Sequence, residues 1–78
     1  MKVFMVLGPG CRNCHTTATL IEERAKALGI AVRVEKVTDM ATILGHGVLS
    51  TPGVMADGLL LHSGSVPSAR QVEQWLRQ

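Results

Sequence analysis

Five successive apolar residues, Val3-Phe4-Met5-Val6-Leu7, follow Lys2 and stop at Gly8-Pro9-Gly10. So short a run holds no helical stripe and is rich in β-formers. It predicts a strand buried on both faces, as in the middle of a parallel sheet. From about Arg12 the pattern changes. Cys14, Ala18, Ile21, Ala25 and Leu28 recur in steps of four and three, one face of an amphipathic helix. Glu22 and Lys26 stand at i and i+4 on the opposite side. Gly29-Ile30 predicts the stop, with Ile30 folding back on the last turn. Ala31 to Val37 then alternates, Val32, Val34 and Val37 against Arg33, Glu35 and Lys36, as a half-exposed strand near an edge does.

Thr38 and Asp39 can each cap a short helix over Met40 to Leu44, which Gly45 and Gly47 end. Val54-Met55-Ala56, Asp57-Gly58 and Leu59-Leu60-Leu61-His62 spell a hairpin with a two-residue turn. Ser68 with Gln71 three residues on predicts a capping box, Pro67 lying just outside. Ala69, Val72, Trp75 and Leu76 would form the buried face of the last helix, and Met5, Met40 and Met55 read as core filler. The element order is β-α-β-α-β-β-α. The first β-α-β predicts a right-handed parallel crossover with its first strand central. The hairpin adds antiparallel strands on the other side, and the first and third helices are expected on opposite faces of the sheet.

Composition bounds what such a chain can do. Seventy-eight residues, 46% apolar, make one small domain over residues 1–78. At ~0.05–0.15 kcal/mol per residue its net stability should be about 4–12 kcal/mol. One Phe, one Trp and no Tyr leave no aromatic platform for stacking on single strands. A net charge of +2, with basic residues scattered from Lys2 to Arg77, gives no footprint for nucleic acid. No apolar run approaches the ~20 residues of a membrane span. The apolar start is shorter than the ~7–15 residues of a secretory core. The expectation is a cytoplasmic monomer that binds neither nucleic acid nor membrane.

The two cysteines fall in one stretch, Cys11-Arg12-Asn13-Cys14. A bridge between them closes only a tiny loop and constrains the unfolded chain very little. Their role is therefore chemical. Three residues apart in a helical turn, they can approach within disulfide range. They are also inequivalent. Cys11 precedes the helix at its electropositive end, where unpaired N–H groups favour an anion. Cys14 shares the apolar stripe with Ala18 and Ile21. The thiolate is the nucleophile, and cationic neighbours such as Arg12 and His15 favour it. Cys11 is thus the expected attacking thiol and Cys14 the resolving one.

The chain resembles the small redox-active disulfide proteins of the thioredoxin superfamily over nearly its whole length. The resemblance rests on Gly8-Pro9-Gly10-Cys11-Arg12-Asn13-Cys14, Val34-Glu35-Lys36-Val37-Thr38-Asp39, Gly47-Val48-Leu49-Ser50-Thr51-Pro52 and Gly64-Ser65-Val66-Pro67-Ser68. It implies an α/β, thioredoxin-like three-layer fold with a four-stranded mixed sheet. It also implies thiol–disulfide exchange without a cofactor. By the resemblance, Cys11 forms a mixed disulfide with a protein substrate and Cys14 resolves it. The backbone of Thr51 pairs with the substrate strand beside a cis Pro52, and Gly10, Arg12, Asn13 and His15 modulate the pair. Disulfide-containing proteins are the implied substrates, and a flavin-dependent, thioredoxin-reductase-like protein is the implied donor. Two departures stand out. Thioredoxin buries a carboxylate on the strand leading to the site, whereas Val3 to Leu7 has none, leaving water or His15 to take the Cys14 proton. Glutaredoxins hold glutathione with an acidic Gly-rich turn, whereas Gly64 to Ser68 carries no acid.

Two other chemistries share the spacing. Cys11 to His15 spells Cys-x-x-Cys-His, the haem-attachment pattern, with Met40 or Met55 nominable as axial ligand. The strand-like start and the hairpin oppose it, since small c-type cytochromes are helical. A copper, zinc or arsenic site on Cys11, Cys14 and His15 suits soft thiolates. Against a copper-carrier domain stands the final capped helix, where such domains end in a strand. His46 and His62 read as loop and surface residues.

Overall fold

The computed structural model describes all 78 residues. Strands β1 (Lys2–Leu7), β2 (Val32–Val37), β3 (Gly53–Ala56) and β4 (Leu59–Ser63) form one sheet, and helices α1 (Arg12–Leu28), α2 (Met40–Gly45) and α3 (Ala69–Arg77) lie between and after them. The strand order is β2-β1-β3-β4. β1 runs parallel to β2, with Lys2 opposite Val32 and Leu7 opposite Val37, and antiparallel to β3, with Leu7 opposite Gly53. β3 and β4 are antiparallel. The architecture is α/β with a four-stranded mixed sheet, and the apolar β1 is central while the alternating β2 is an edge.

Local chemistry sets the element ends. Gly29 is left-handed at φ 69°, and its N–H donates to the Lys26 carbonyl while Ile30 N–H reaches back to Ala25 O at 2.9 Å. That is a Schellman stop, with Ile30 packed against the core. Asp57 and Gly58, at φ 53° and 76°, make the two-residue turn of the β3–β4 hairpin. Asp39 caps α2 by accepting from Thr42 N–H at 2.9 Å, and Ser68 and Gln71 close the capping box of α3.

Alternation along β1 divides the interior in two. Phe4 and Val6 join Val54, the α1 residues Cys14, Ala18, Ile21 and Ala25, and the α3 residues Val72 and Leu76. Leu7 points the other way, to Ile43 of α2, Val48 and Met55. Helices α1 and α3 therefore cover the same face of the sheet, not opposite faces, and an Arg24 Nε–Glu73 Oε2 ion pair of 2.9 Å ties them. The opposite face belongs to α2, giving three layers. Helical periodicity says which side of α3 is apolar, not which face of the sheet receives it.

The short α2 covers only one end of its face. Met5 is half-buried and Val3 is 36% exposed, so β1 is fully enclosed only towards its C-terminal end. Met40 is exposed and fills no core. Ala69 is exposed because it lies in the first turn of α3, ahead of the buried stripe. Trp75 is half-buried, its ring 6.1 Å from that of His62. His62 in turn is half-buried and lies 3.0 Å from the Ser65 hydroxyl.

Candidate active site

Where β1 hands the chain to α1, Gly8-Pro9-Gly10 makes the corner. Gly10 adopts φ 86°, a left-handed conformation that L side chains rarely take. Cys11 follows as the N-cap of α1, extended at φ −72° and ψ 169°, and exposed. One turn on, Cys14 is 6% exposed and belongs to the larger core cluster. The two sulfurs stand 3.0 Å apart, both as free thiols, with room for one proton between them.

Environment makes the thiols unequal. The hydrogen bond from the Cys14 thiol is the largest cause holding the Cys11 pKa below its ordinary value, followed by the Cys14 backbone N–H, with Asn13 N–H adding to it. None of these N–H groups closes a full capping bond on the sulfur. Burial pushes the Cys14 pKa up, and its bond to Cys11 pushes the same way. Both shifts favour ionisation at the exposed sulfur over the buried one.

Around the pair, Arg12, Asn13 and His15 are all exposed on the first turn. Thr17 is fully buried and turns its hydroxyl back to the Asn13 carbonyl at 2.7 Å. A cavity of about 90 Å³ opens beside Cys14 where the C-terminal ends of β1 and β2 meet the start of α1, lined also by Gly8, Gly10, His15, Lys36 and Thr38. Lys36 Nζ approaches His15 Nδ1 to 3.4 Å across it. No cluster of three or more His, Cys, Asp or Glu side chains with metal-holding geometry forms anywhere in the chain.

The second predicted segment arrives from the other side. The Thr51–Pro52 peptide bond is cis, Pro52 is buried and Thr51 half-buried. Pro52 O accepts from Gly64 N–H at 3.0 Å, which fixes the loop against the end of β4, while the N–H and C=O of Thr51 enter no backbone hydrogen bond. Gly8 is the meeting point. A β-carbon there would stand 2.0 Å from Cys14 Sγ and 3.5 Å from Thr51 Cβ. The segments of Cys11–Cys14 and Thr51–Pro52, far apart in sequence, meet at one corner.

Two members of the corner went unread in the sequence. Lys36 counts there only as an outward position of β2, and parallel pairing with β1 is what carries it to His15. Gly8 reads as a strand breaker, although its place three residues before Cys11 is a signal that the corner needs room.

Comparison with known proteins agrees with this geometry. Residues 1–77 match the family model described as a thioredoxin domain. A thioredoxin of Methanocaldococcus jannaschii is 32% identical over 77 residues, covering 99% of this chain and 88% of the relative. A thioredoxin of Methanothermobacter thermautotrophicus is 34% identical over 76 residues, covering 97% and 99%. Among solved structures, thioredoxin-2, a component of the malaria parasite's protein secretion machinery, superposes with a TM-score of 0.63 at 16% identity, over 97% of this chain and 82% of its own.

Proposed function

The chain belongs to the thioredoxin family and is a thiol–disulfide oxidoreductase; from that premise we propose that Cys11 is its nucleophile and Cys14 its resolving thiol. The observation that carries the assignment is the 3.0 Å sulfur pair with opposite environments, one sulfur exposed and charge-favouring, the other buried and proton-keeping. Cys11 thiolate attacks one sulfur of a substrate disulfide. A mixed disulfide forms and the first substrate thiolate leaves, taking a proton from water. Cys14 then loses its proton into the cavity it shares with His15 and Lys36, and attacks Cys11 Sγ. The Cys11–Cys14 bond forms, the mixed disulfide breaks, and the second substrate thiolate leaves. The substrate has gained two electrons and its thiolates take their protons from solvent; the chain has given up two electrons and the Cys14 proton.

Protein disulfides fit this site as substrates. The N–H and C=O of Thr51 make no backbone hydrogen bond, which supports their pairing with an extended substrate segment. Exposed next to the two cysteines in the chain, Gly10, Arg12, Asn13 and His15 are assigned to modulate the pair. A monomeric domain over residues 1–78, working in the cytoplasm and re-reduced by a flavin-dependent, thioredoxin-reductase-like protein, completes the reading. No helix is long and apolar enough to cross a membrane. The test is Cys14→Ser in a disulfide-reduction assay on a protein substrate. It should accumulate a mixed disulfide through Cys11, and Cys11→Ser should abolish exchange. Full turnover by Cys11→Ser would overturn the assignment.

A further inference from the structure

We propose that Gly8 is a positioning residue for the resolving step: by lacking a β-carbon it leaves the one space in which Cys14 Sγ can face Cys11. The inference rests on the reading of Cys14 as the resolving thiol and gives Gly8 a role beyond ending the strand. Its basis is a distance. A β-carbon on Gly8 would lie 2.0 Å from Cys14 Sγ, where non-bonded heavy atoms need about 3.5–4.0 Å. No other glycine in the chain leaves so little room for a side chain.

Something must yield, and the surroundings decide what. Gly8 is not in the left-handed region, so alanine meets no left-handed strain there. Its backbone is held by a 2.9 Å hydrogen bond from Gly8 N–H to Val37 O and follows the fully buried Leu7. Cys14 Cβ lies 3.4 Å and Thr51 Cβ 3.5 Å from the would-be β-carbon, contacts it can bear, and the Cys14 backbone is fixed within α1. Only Sγ is free to move. A cysteine has one side-chain torsion, and its next staggered well is about 120° away. Alanine at position 8 therefore turns Cys14 Sγ out of the 3.0 Å contact, while Cys11, exposed on the far side of the pair, still reaches solvent.

The chemical consequence is confined to one step. Cys11 can still open a substrate disulfide, but Cys14 can no longer reach Cys11 Sγ to form the internal bond and expel the second thiolate. A misplaced reacting atom costs about 100-fold in rate.

A symmetric nitrobenzoate disulfide separates the steps, because each releases one coloured thiolate. The first comes from attack by Cys11 and the second from resolution by Cys14. In reduced Gly8→Ala the second release should slow about 100-fold, leaving a stable mixed disulfide in a chain that keeps both cysteines. The first release should slow at neutral pH, since Cys11 loses its hydrogen bond from Cys14, and should recover in alkali where Cys11 ionises fully. The second should stay slow there. Folding is controlled by a cycle with Cys14→Ala, which removes the obstructed sulfur. Gly8→Ala should lower the denaturation midpoint in the parent and not in Cys14→Ala. If Gly8→Ala alone does not fold, the double variant should fold like Cys14→Ala, and its failure to fold overturns the proposal. A second release at the parent's rate overturns the proposal, as does equal slowing of both releases at alkaline pH or equal destabilisation in both backgrounds. Failure of Cys14→Ser to trap a mixed disulfide would instead remove the reading beneath it.

Discussion

Ile43→Ala measures what holds the proline loop in place. Ile43 is fully buried and joins α2 to Leu7, Val48 and Met55, the small cluster on the far face of the sheet. The substitution deletes three carbons, worth about 2.4 kcal/mol at ~0.8 kcal/mol each. A cavity term adds to that, and buried isoleucine-to-alanine changes span about 2–5 kcal/mol. The site sits at the low end of that range. α2 has six residues and its outer side is solvent, Met40 being 50% and Leu44 55% exposed, so it can settle inward and close part of the gap. The expected loss is about 2.5–3 kcal/mol.

Equilibrium urea unfolding of the reduced chain reads this directly. With a slope of about 1 kcal/mol per molar for a domain this small, the midpoint should fall by about 2.5–3 M. Cys14 belongs to the other cluster, so release of the two thiolates from the nitrobenzoate disulfide should proceed as in the parent. If the Thr51 loop receives the substrate as proposed, reduction of a protein disulfide should weaken. A midpoint shift below about 1 M would mean that Ile43 is not a load on the fold. Slowed release from the small reagent would mean that the two clusters are not separate, and the division of the interior described above would be wrong.

Removing the Cys14 thiol should raise the Cys11 pKa, because the hydrogen bond from that thiol is the largest cause of its depression. Alkylation of Cys11 tracks its thiolate, so in Cys14→Ala the midpoint of the rate–pH curve moves up and the neutral-pH rate falls; an unmoved midpoint would assign the depression to the helix end alone. Asp39 behaves as a second titration probe. Its carboxyl is held below the ordinary value of 3.8 by the Thr42 hydroxyl and N–H, so its contribution to stability is complete above 3.8 and is lost as the pH falls through the lower folded value. The stability gap between parent and Asp39→Ala should be constant at neutral pH and close in acid; parallel curves down to the acid limit would refute the cap's role.

Much of this architecture is legible in one dimension because each signal is local. The stripe from Cys14 to Leu28, the Gly29-Ile30 stop, the Asp57-Gly58 turn and the Ser68–Gln71 box each act within a few residues, and each lies where the pattern puts it. So does the inequality of the cysteines, since the end and the buried side of a helix are both written in its sequence. What sequence leaves open is choice among equal surfaces. Nothing in Val72 or Leu76 states which face of the sheet they meet; the answer depends on α1 already lying there, with Arg24 opposite Glu73. The approach of Lys36 to His15 depends likewise on the β1–β2 register.

The site is assembled across a division in the core. Cys14 is packed into the cluster under α1 and α3, while the loop carrying Thr51 and Pro52 follows Val48, which belongs to the cluster under α2. The central strand separates the two clusters, and its last buried side chains, Val6 and Leu7, point to opposite ones. Beyond Leu7 there is no further side chain to divide them: the next residue is Gly8, where the sulfur from one side and Thr51 from the other come together. A side chain at that position would extend the partition into the site. Its absence lets two independently supported segments meet, so the dithiol and the Thr51 loop proposed to face the substrate rest on separate supports. The Ile43 and Gly8 substitutions should therefore fail differently. The first weakens the handling of protein disulfides while exchange with a small disulfide stays intact; the second leaves the first exchange step available and halts the next.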